Sequence, residues 1–495
     1  MTSGNHYDFI VVGGGPAGVF FAYEMVQKNP DKRIALIEQG KRVENRQCPE
    51  TKKGKCIKCQ PFCNITCGFS GAGAFSDGKL SLYNKGDDDF YVGGNLHKYV
   101  GVDDTKKLID YTDGIYLEFG ATTKLEGVDD PEKITAIRKR AEIEGLDLIN
   151  IPIRHLGTDK SHDLYKKIER YLIESGVEIM FETEVKDLVV SNNKIVGVEL
   201  MFNIEIKDLL VSNNKIVGGE IDRHIQPFGP QTIYADKVVL AVGRVGANWL
   251  LDMCEKHKIK TTPGVIDIGV RYELPNEEME EINTYLYEGK FIGKPKPFND
   301  KVRTFCQNPS GFVTTEVYDD GLTLVNGHSC KDIKSDNTNL ALLVSLNLQD
   351  VNPMKYLQNI AHNMNALADG NILVQRLHDI KSGKRTWNGE LEYNSVQPTL
   401  KSAKPGDLSL AMPYRVLTNI LEFIEQMEGV APGFANPTNL LYGPEIKFYS
   451  NKVELSKTFE TSVEGLYAIG DGCGLTRGLM MASASGVQLA RNLCD

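Results

Sequence analysis

A glycine-rich loop near the start of the chain is the first feature whose residue types could do chemistry. The loop follows an apolar run at 9–12, opens a helical segment, and consists of Gly13, Gly14, Gly15, Pro16, Ala17 and Gly18. Gly13 allows a tight turn, Gly15 lets a pyrophosphate approach the backbone, and Gly18 lets the helix pack closely on the sheet. The helix that begins at Pro16 directs its N–H groups at the phosphates. The pattern predicts a dinucleotide-binding βαβ unit.

The same unit ends in an acidic residue. Glu38 closes a second apolar run, twenty positions after Gly18. A carboxylate at this point can accept hydrogen bonds from both hydroxyls of a ribose, and it would repel a ribose that carries a phosphate. We therefore predict that Glu38 binds the ribose of the dinucleotide.

A cluster of cysteines is the second such feature. Five of the ten cysteines lie within twenty residues, namely Cys48, Cys56, Cys59, Cys63 and Cys67. Their spacing can bring thiolates to one point, as zinc or an iron–sulfur cluster requires, and it does not separate the two. Four lysines at 52–58 would lower the thiol pKa values. We predict a metal or cluster site; redox-active thiols and unliganded structural cysteines are the alternatives.

The C-terminal end of the chain indicates which dinucleotide is bound. A short apolar run at 466–469 is followed by Gly470 and Asp471, and small residues follow at 482–486. The segment resembles the C-terminal strand of FAD enzymes that carry an N-terminal βαβ unit, in which the aspartate binds the ribityl chain of the flavin. An ordinary strand–turn–helix is the alternative. The resemblance implies FAD as the cofactor, and it assigns to the cofactor Gly470, Asp471, Gly478, Leu479 and Met480.

A third segment lies between these two. Residues 233–244 resemble the strand and glycine turn that return the chain to the flavin domain in this superfamily, with Val242 where threonine is usual. The resemblance implies that Gly243 lies at the cofactor. A helix over 162–175 and a strand over 177–185 precede it by apolar spacing. In two-dinucleotide-fold flavoproteins the residue that matches Val185 pairs its backbone with adenine.

A second glycine segment carries charged residues, and it includes Gly71, Ala72, Gly73, Ser76, Asp77 and Lys79. Consecutive N–H groups at 71–73 can approach a pyrophosphate or a flavin, as an anion nest does. Ser76 and Asp77 are then placed near the isoalloxazine. Lys79 beside a flavin would stabilise its anionic reduced form, which favours hydride acceptance. The alternative is a salt bridge between Asp77 and Lys79.

Two further residues are candidates for substrate chemistry. His155 lies between a predicted strand and a helix and could donate a proton to a substrate carbon; the alternative is a capping or packing role. Arg477 precedes the C-terminal helix and could bind a substrate carboxylate bidentately, although a surface arginine is equally ordinary.

Several segments together resemble one protein family. They are 63–80, 153–159, 305–311, 326–329 and 470–474. They resemble a bacterial family of uncharacterised FAD-dependent dehydrogenases within the two-domain, glutathione-reductase-like flavoprotein superfamily. The resemblance covers nearly the whole chain and implies an FAD-dependent oxidoreductase that transfers hydride at flavin N5. The chain departs from the family in the inserted region, where Ser310 and His328 replace the usual residues.

The motif positions also predict the domain organisation. A chain of 495 residues is too long for one compact core. We predict an α/β fold with a discontinuous, Rossmann-like FAD-binding domain built from 1–100, 152–250 and 440–495. Residues 101–151 are predicted to be a helical segment, and 251–439 an inserted α+β substrate domain.

One internal repeat stands out. Residues 185–200 recur as 206–221, and both copies are predicted to be strand–turn–strand with asparagine pairs at the turns. We interpret the repeat as a local duplication in a β-meander; a partner-binding flap is the alternative.

Charge and hydropathy limit the classes of partner. The net charge of −10 gives no reason to expect nucleic acid or an anionic membrane. No apolar run approaches a membrane span, and residues 1–7 lack a basic region, so we expect a cytoplasmic protein. We predict a small organic substrate, and a protein or NAD(P)H as electron donor. A flavin-fold escort module and an RNA-modifying flavoprotein are rival functions; the intact flavin motifs and the acidic balance argue against them.

Overall fold

The computed structural model describes most of the chain. The described residues are 6–47, 59, 61–74, 78–83, 92–156, 158–202, 209–212, 215–219, 231–262, 266–286, 288–317, 322–328, 333–348, 353–447 and 452–494. Among the predicted site residues, Cys48, Cys56, Ser76 and Asp77 lie outside these ranges.

The described strands are numbered in chain order. They are β1 (His6–Val12), β2 (Ile34–Ile37), β3 (Lys79–Ser81), β4 (Asp147–Ile149), β5 (Ile153–His155), β6 (Glu178–Met180), β7 (Thr183–Ser191), β8 (Lys194–Phe202), β9 (Leu209–Ser212), β10 (Lys215–Gly219), β11 (Gln231–Leu240), β12 (Thr261–Thr262), β13 (Ile266–Pro275), β14 (Lys290–Gly293), β15 (Lys301–Asn308), β16 (Phe312–Val317), β17 (Thr323–His328), β18 (Asn337–Leu346), β19 (Leu373–Arg376), β20 (Lys404–Pro405), β21 (Leu440–Lys447), β22 (Lys452–Val453) and β23 (Leu466–Ala468).

The described α-helices are numbered in the same way. They are α1 (Pro16–Lys28), α2 (His97–Val100), α3 (Val102–Glu118), α4 (Pro131–Ile143), α5 (Thr158–Glu174), α6 (Ala247–Lys256), α7 (Glu280–Leu286), α8 (Pro353–Leu367), α9 (Leu377–Lys381), α10 (Asn388–Glu392), α11 (Tyr414–Glu428) and α12 (Leu479–Cys494). None of them is long and apolar enough to cross a membrane, within the part of the chain that the structure describes.

The first sheet contains the predicted dinucleotide unit. Its strand order is β6-β2-β1-β11-β8-β7, and β23 also pairs with β11. The apolar residues of β1 and β2 are buried, as expected for parallel strands that are covered on both faces. A Cβ at Gly486 would lie 2.2 Å from the carbonyl oxygen of Ala17, so glycine is what allows α12 to approach α1. The predicted strand–helix–strand order of the βαβ unit, with parallel strands, is therefore confirmed.

The chain between 177 and 202 differs in part from the prediction. The predicted strand 177–185 is interrupted at Glu182, whose φ is +51°, and it forms β6 and β7 on opposite edges of the first sheet. A left-handed residue does not continue a strand, so the chain leaves β6 before Glu182 and begins β7 after it. The first repeat forms the hairpin β7–β8 through Asn192 and Asn193, both at positive φ, as predicted. Strands β9 and β10 of the second copy pair with each other, while Asn213 and Asn214 lie outside the described residues.

The second sheet has the order β20-β19-β21-β13-β18-β15-β14-β4 in the described residues. Residues 268, 270, 272 and 274 of β13 pack into one hydrophobic core together with α11 and α8. The predicted boundaries differ at two points. β21 begins at Leu440 and pairs with β13, although 440–447 was expected in the FAD-binding domain. β4 lies in the predicted helical segment and pairs with β14, because Leu148 buries its side chain in the same core.

Candidate cofactor site

The first glycine loop divides into packed and open positions. A Cβ at Gly13 would lie 2.4 Å from the carbonyl oxygen of Ala241, and one at Gly18 would lie 2.2 Å from the carbonyl oxygen of Gly13. A Cβ at Gly15 would instead point into open space. Packing therefore explains why Gly13 and Gly18 carry no side chain. No contact within the described protein explains why residue 15 is a glycine. Gly15 is also the N-cap of α1, and no side chain caps that helix.

The second glycine segment lies against the first. The amide of Ser70 donates to the carbonyl oxygen of Gly14 at 2.6 Å, and an ideal Cβ at Gly71 would lie 3.5 Å from the Cα of Gly15. A Cβ at Gly73 would lie 2.7 Å from Cδ2 of Leu479, at the start of α12. Three segments that are far apart in sequence thus converge, and Ala72 lies between the two contacting glycines.

Asp471 fixes the turn that leads into α12. Its Oδ1 accepts from the hydroxyl of Thr476 at 2.8 Å, and its Oδ2 accepts from the amide of Gly478 at 3.1 Å. Burial raises the pKa of Asp471, while Arg244 opposes this shift. Each carboxylate oxygen retains a second lone pair, so Asp471 can still accept from a ligand hydroxyl.

The remaining predicted cofactor residues lie on several different elements. Gly470 has a positive φ, and a Cβ there would lie 3.0 Å from the Cβ of Ala17. Gly243 has a φ of +61°, and a Cβ on it would meet open space. Met480 is buried in the first turn of α12. Val185 lies opposite Leu200 in the β7–β8 ladder.

Glu38 makes contacts that the sequence did not indicate. Its Oε2 accepts from the amide of Gly14 at 2.8 Å, and its Oε1 accepts from the amides of Gly40 at 2.8 Å and Gly68 at 2.9 Å. A carboxylate has about four acceptor positions, so one remains on Oε2 for a ribose hydroxyl. We expected Glu38 to accept hydrogen bonds from both ribose hydroxyls, but these contacts leave it one acceptor position for a ribose hydroxyl. The amide of Thr183, two residues before Val185, donates to the carbonyl oxygen of Glu38.

Arg46 was missed by the sequence analysis. This fully buried guanidinium donates to backbone carbonyls of the loop that leads to Gly71, at distances of 2.6–2.9 Å; the acceptors are Asn64, Ile65, Phe69 and Gly71. Burial lowers the pKa of Arg46 to about 10. One side chain thus fixes the path of the second glycine segment. Every residue has a backbone carbonyl group, so the sequence does not indicate which residues accept hydrogen bonds from Arg46.

The predicted catalytic residues Lys79 and His155 are neighbours. They lie directly opposite each other in the β3–β5 ladder, which places both side chains on one face. Lys79 forms an ion pair with Glu288, with 3.5 Å between Nζ and Oε2. The alternative pairing with Asp77 involves a residue outside the described ranges. Glu288 lies just before β14, so this ion pair joins β3 to the second sheet.

Arg477 lies at a different point of the site. Its amide donates to the carbonyl oxygen of Gly93 at 3.2 Å, and the side chain is partly buried. Its positive charge contributes to lowering the pKa of Lys452, although burial of that lysine is the larger cause. The bidentate contact with a substrate carboxylate stays a prediction.

A row of polar side chains extends from Glu288 across the second sheet. Cross-strand pairing places Lys290, Arg303, Ser345 and Asp267 on one face of that sheet, opposite the hydrophobic core. Arg303 donates to Asp267 at 2.7 Å, and Ser345 donates to the other oxygen of Asp267 at 2.5 Å. Burial, with Arg303 and Lys301 nearby, lowers the pKa of Lys290 to about 7.

This polar row was also missed. At neutral pH Lys290 is a mixture of charged and neutral amine, so it can take up or release a proton. Alternating polar residues at 267, 271 and 273 of β13 were a usable signal in the sequence. They mark a strand with one polar face, whereas the apolar run alone indicates only a buried strand.

The described cysteines of the cluster differ in exposure. Cys59 is partly buried, Cys63 is exposed and Cys67 is buried, and all three are free thiols. Gln39 donates to the sulfur of Cys67 at 3.2 Å. Burial raises the pKa of Cys67, opposite to the lowering that the neighbouring lysines were expected to cause. Within the described ranges, no group of three or more His, Cys, Asp or Glu side chains could hold a metal ion. With Cys48 and Cys56 outside those ranges, the ligand set stays a prediction.

Comparison with known proteins adds a family match for part of the chain. Residues 266–447, from the start of β13 to the end of β21, match the family model described as "FAD-dependent protein, C-terminal domain-like". A Clostridium beijerinckii protein described as uncharacterised is 22% identical over 508 residues, which cover 98% of this chain and 80% of that protein.

Two solved structures illustrate the structural similarity. L-proline dehydrogenase from P. horikoshii has a TM-score of 0.39 at 12% identity, covering 99% of this chain and 93% of that one. Pyridoxine 4-oxidase from Mesorbium loti has a TM-score of 0.41 at 11% identity, covering 98% of each chain.

The first testable prediction concerns Asp471. We expect Asp471→Ala to weaken FAD binding by about tenfold or more, because a hydrogen bond to a charged group contributes about 1.5–3 kcal/mol. The matched control is Thr476→Val, which removes the internal hydrogen bond and keeps the carboxylate. Reconstitution of both apo-proteins with FAD, followed by flavin fluorescence, gives the affinities. Equal losses in the two variants would show that Asp471 only holds the turn.

A second prediction concerns Arg46. We expect Arg46→Met to lower the free energy of unfolding by about 3 kcal/mol, because several buried carbonyl groups lose their donor. Arg170→Met is the control, since Arg170 is exposed and its ion pair with Glu174 is 3.8 Å long. Urea unfolding measures the stability, and chymotrypsin cleavage after Phe62 or Phe69 reports on the loop. An unchanged cleavage rate in Arg46→Met would contradict this role.

Proposed function

We propose that the chain is an FAD-dependent oxidoreductase that acts on a small organic substrate. The observation that carries the proposal is the open space that a Cβ at Gly15 would meet, beside a second glycine segment in which Gly71 lies against Gly15 and Gly73 lies against Leu479. The partial family match to an FAD-dependent protein domain supports the same cofactor.

The residues present fit an extended dinucleotide. Gly15 and the uncapped start of α1 suit the pyrophosphate, since free N–H groups and the helix dipole favour an anion there. Glu38 retains one acceptor position for a ribose hydroxyl, and Asp471 retains positions for the ribityl chain. Bound FAD supplies hydride acceptance and donation at N5.

The chain's own residues then define the reactive end. Lys79 and His155 share one face of the β3–β5 ladder, and Glu288 balances the charge of Lys79. Lys79 tunes the local potential, and His155 holds a proton for the substrate. The polar face of the second sheet, with Lys290 and Arg303, binds the substrate. We assign 266–447 to the inserted substrate domain, and we expect a protein or NAD(P)H as electron donor.

The third prediction tests the cofactor site. Gly15 has φ −75° and ψ 178°, which alanine adopts without strain, so Gly15→Ala should fold normally. The added methyl group occupies the open space, and we expect FAD to bind about 10–100-fold more weakly, a cost of about 1–3 kcal/mol. Gly114→Ala is the control, because a Cβ at Gly114 also meets open space but lies in α3. The visible spectrum and FAD titration measure binding. Full occupancy in Gly15→Ala would reject the proposed site.

The fourth prediction concerns the charge beside the flavin. Lys79→Met should lower the flavin reduction potential, and Glu288→Gln should raise it, each by an amount on the order of tens of millivolts. The signs are opposite because one change removes a positive charge and the other leaves that charge without its partner. Photoreduction with a reference dye measures both potentials, and His155→Ala, which should leave the potential nearly unchanged, serves as control. Unchanged potentials in both charge variants would return Lys79 and Glu288 to a purely structural ion pair.

A further inference from the structure

A basic pocket lies outside the residues assigned to the cofactor and substrate. It has a volume of about 220 Å³, opens to solvent and is bordered by α2, β22 and the backbone that follows Asp471, with Lys98, Tyr99, Lys452 and Gly474 in its lining. The pocket is built by close packing. A Cβ at Gly474 would lie 2.8 Å from Cγ of Lys452, and the amide of Asn95 donates to the carbonyl oxygen of Leu475 at 2.8 Å.

The charges at this pocket have one sign. Lys98 and Lys452 contribute two ammonium groups, and no carboxylate is among the described residues that line the pocket. Burial lowers the pKa of Lys452, and the positive charges of Lys98 and Arg477 lower it further. This concentration of positive charge occurs in a chain with a net charge of −10, so it does not follow from overall composition. Cations held together in this way are stabilised by a bound anion.

A second pocket adjoins the first at Tyr99 and has a different electrostatic character. Its volume is about 330 Å³. Three cations line it, Lys107, Lys457 and Arg491, and two of them are paired, Lys107 with Asp104 at 2.8 Å and Arg491 with Glu24 at 2.8 Å. Gln488 and Asn492, which also line this second pocket, provide neutral hydrogen-bonding groups. Asp104 in the second pocket disfavours an anion there, whereas the described lining of the first pocket has no carboxylate, so the first pocket suits the anionic part of a ligand and the second suits a polar organic part.

We propose that the pocket between Lys98 and Lys452 binds a phosphate group, with the second pocket holding the organic part of a phosphate ester. Two ammonium groups match the charge of a phosphate dianion, and Lys is a point-charge phosphate ligand. Free inorganic phosphate and a phosphate monoester share this chemistry, and the two adjoining volumes are together within the range of small-molecule sites.

The experiment uses the FAD-saturated protein, so that the cofactor site is already filled. Equilibrium dialysis measures binding of inorganic phosphate and of adenosine 5′-monophosphate. We expect saturable binding of both, weakened at least tenfold in Lys452→Met and in Lys98→Met. The control is Lys194→Met, which removes an exposed lysine that pairs with Glu464 and should leave binding unchanged. Tighter binding of the monoester would identify an organic phosphate as the ligand, and equal binding would identify inorganic phosphate.

Two results would overturn this inference. One is the absence of saturable phosphate binding by the wild-type holoprotein. The other is an affinity that falls equally in Lys194→Met and Lys452→Met, which would indicate nonspecific attraction. Flavin content is measured in every variant. If a lysine variant keeps its normal flavin content but loses phosphate binding, the result supports the phosphate pocket. It then says nothing against the cofactor site, so the two proposals are tested separately.

Discussion

The structure of the cofactor site depends on one carboxylate with three amide donors. Glu38 is buried directly after β2, and it accepts from the amides of Gly14 in the first glycine loop, of Gly40 two residues further on, and of Gly68 in the loop that carries the cysteines. A buried carboxylate without donors would be costly, so the three amides stabilise Glu38 in its buried position. The same contacts hold Gly14 and Gly68 at fixed positions relative to one strand. A residue expected to act only on a ligand is thus also the structural link between two loops.

Arg46 holds the same loop in place through hydrogen bonds of the opposite direction, because it donates where Glu38 accepts. Glu38 fixes amides of the loop, and Arg46 fixes its carbonyl groups. Gly68 lies between them with a φ of +117°, and a Cβ there would lie 2.5 Å from Cδ of Arg46. Only glycine can adopt this positive φ readily and also leave room for the side chain of Arg46. The second glycine segment therefore reaches Gly15 along a path set by two buried charged side chains, and the cysteine segment 61–67 is attached to the same path.

The sequence predicted those parts of the site that depend on local spacing. The strand, loop, helix and acid of the βαβ unit lie within about thirty residues, so periodicity and glycine positions sufficed for 6–38 and for 466–494. The partners of Lys79 and Arg46 could not be predicted in this way. Glu288 is 209 residues from Lys79, and the acceptors of Arg46 are backbone atoms. The predicted domain boundary at 440 was wrong for a related reason. The composition of an apolar strand does not indicate which of two sheets the strand joins.

The charges where β3 meets the second sheet are arranged largely as pairs. Lys79 is matched by Glu288, and Arg303 by Asp267, so these four residues contribute little net potential. Lys290 differs, because its pKa of about 7 lies within the neutral range. The lowered pKa means that the amine is neutral above this pH and gains a proton below it. A flavin reaction at this face would then respond to pH through the amine of Lys290.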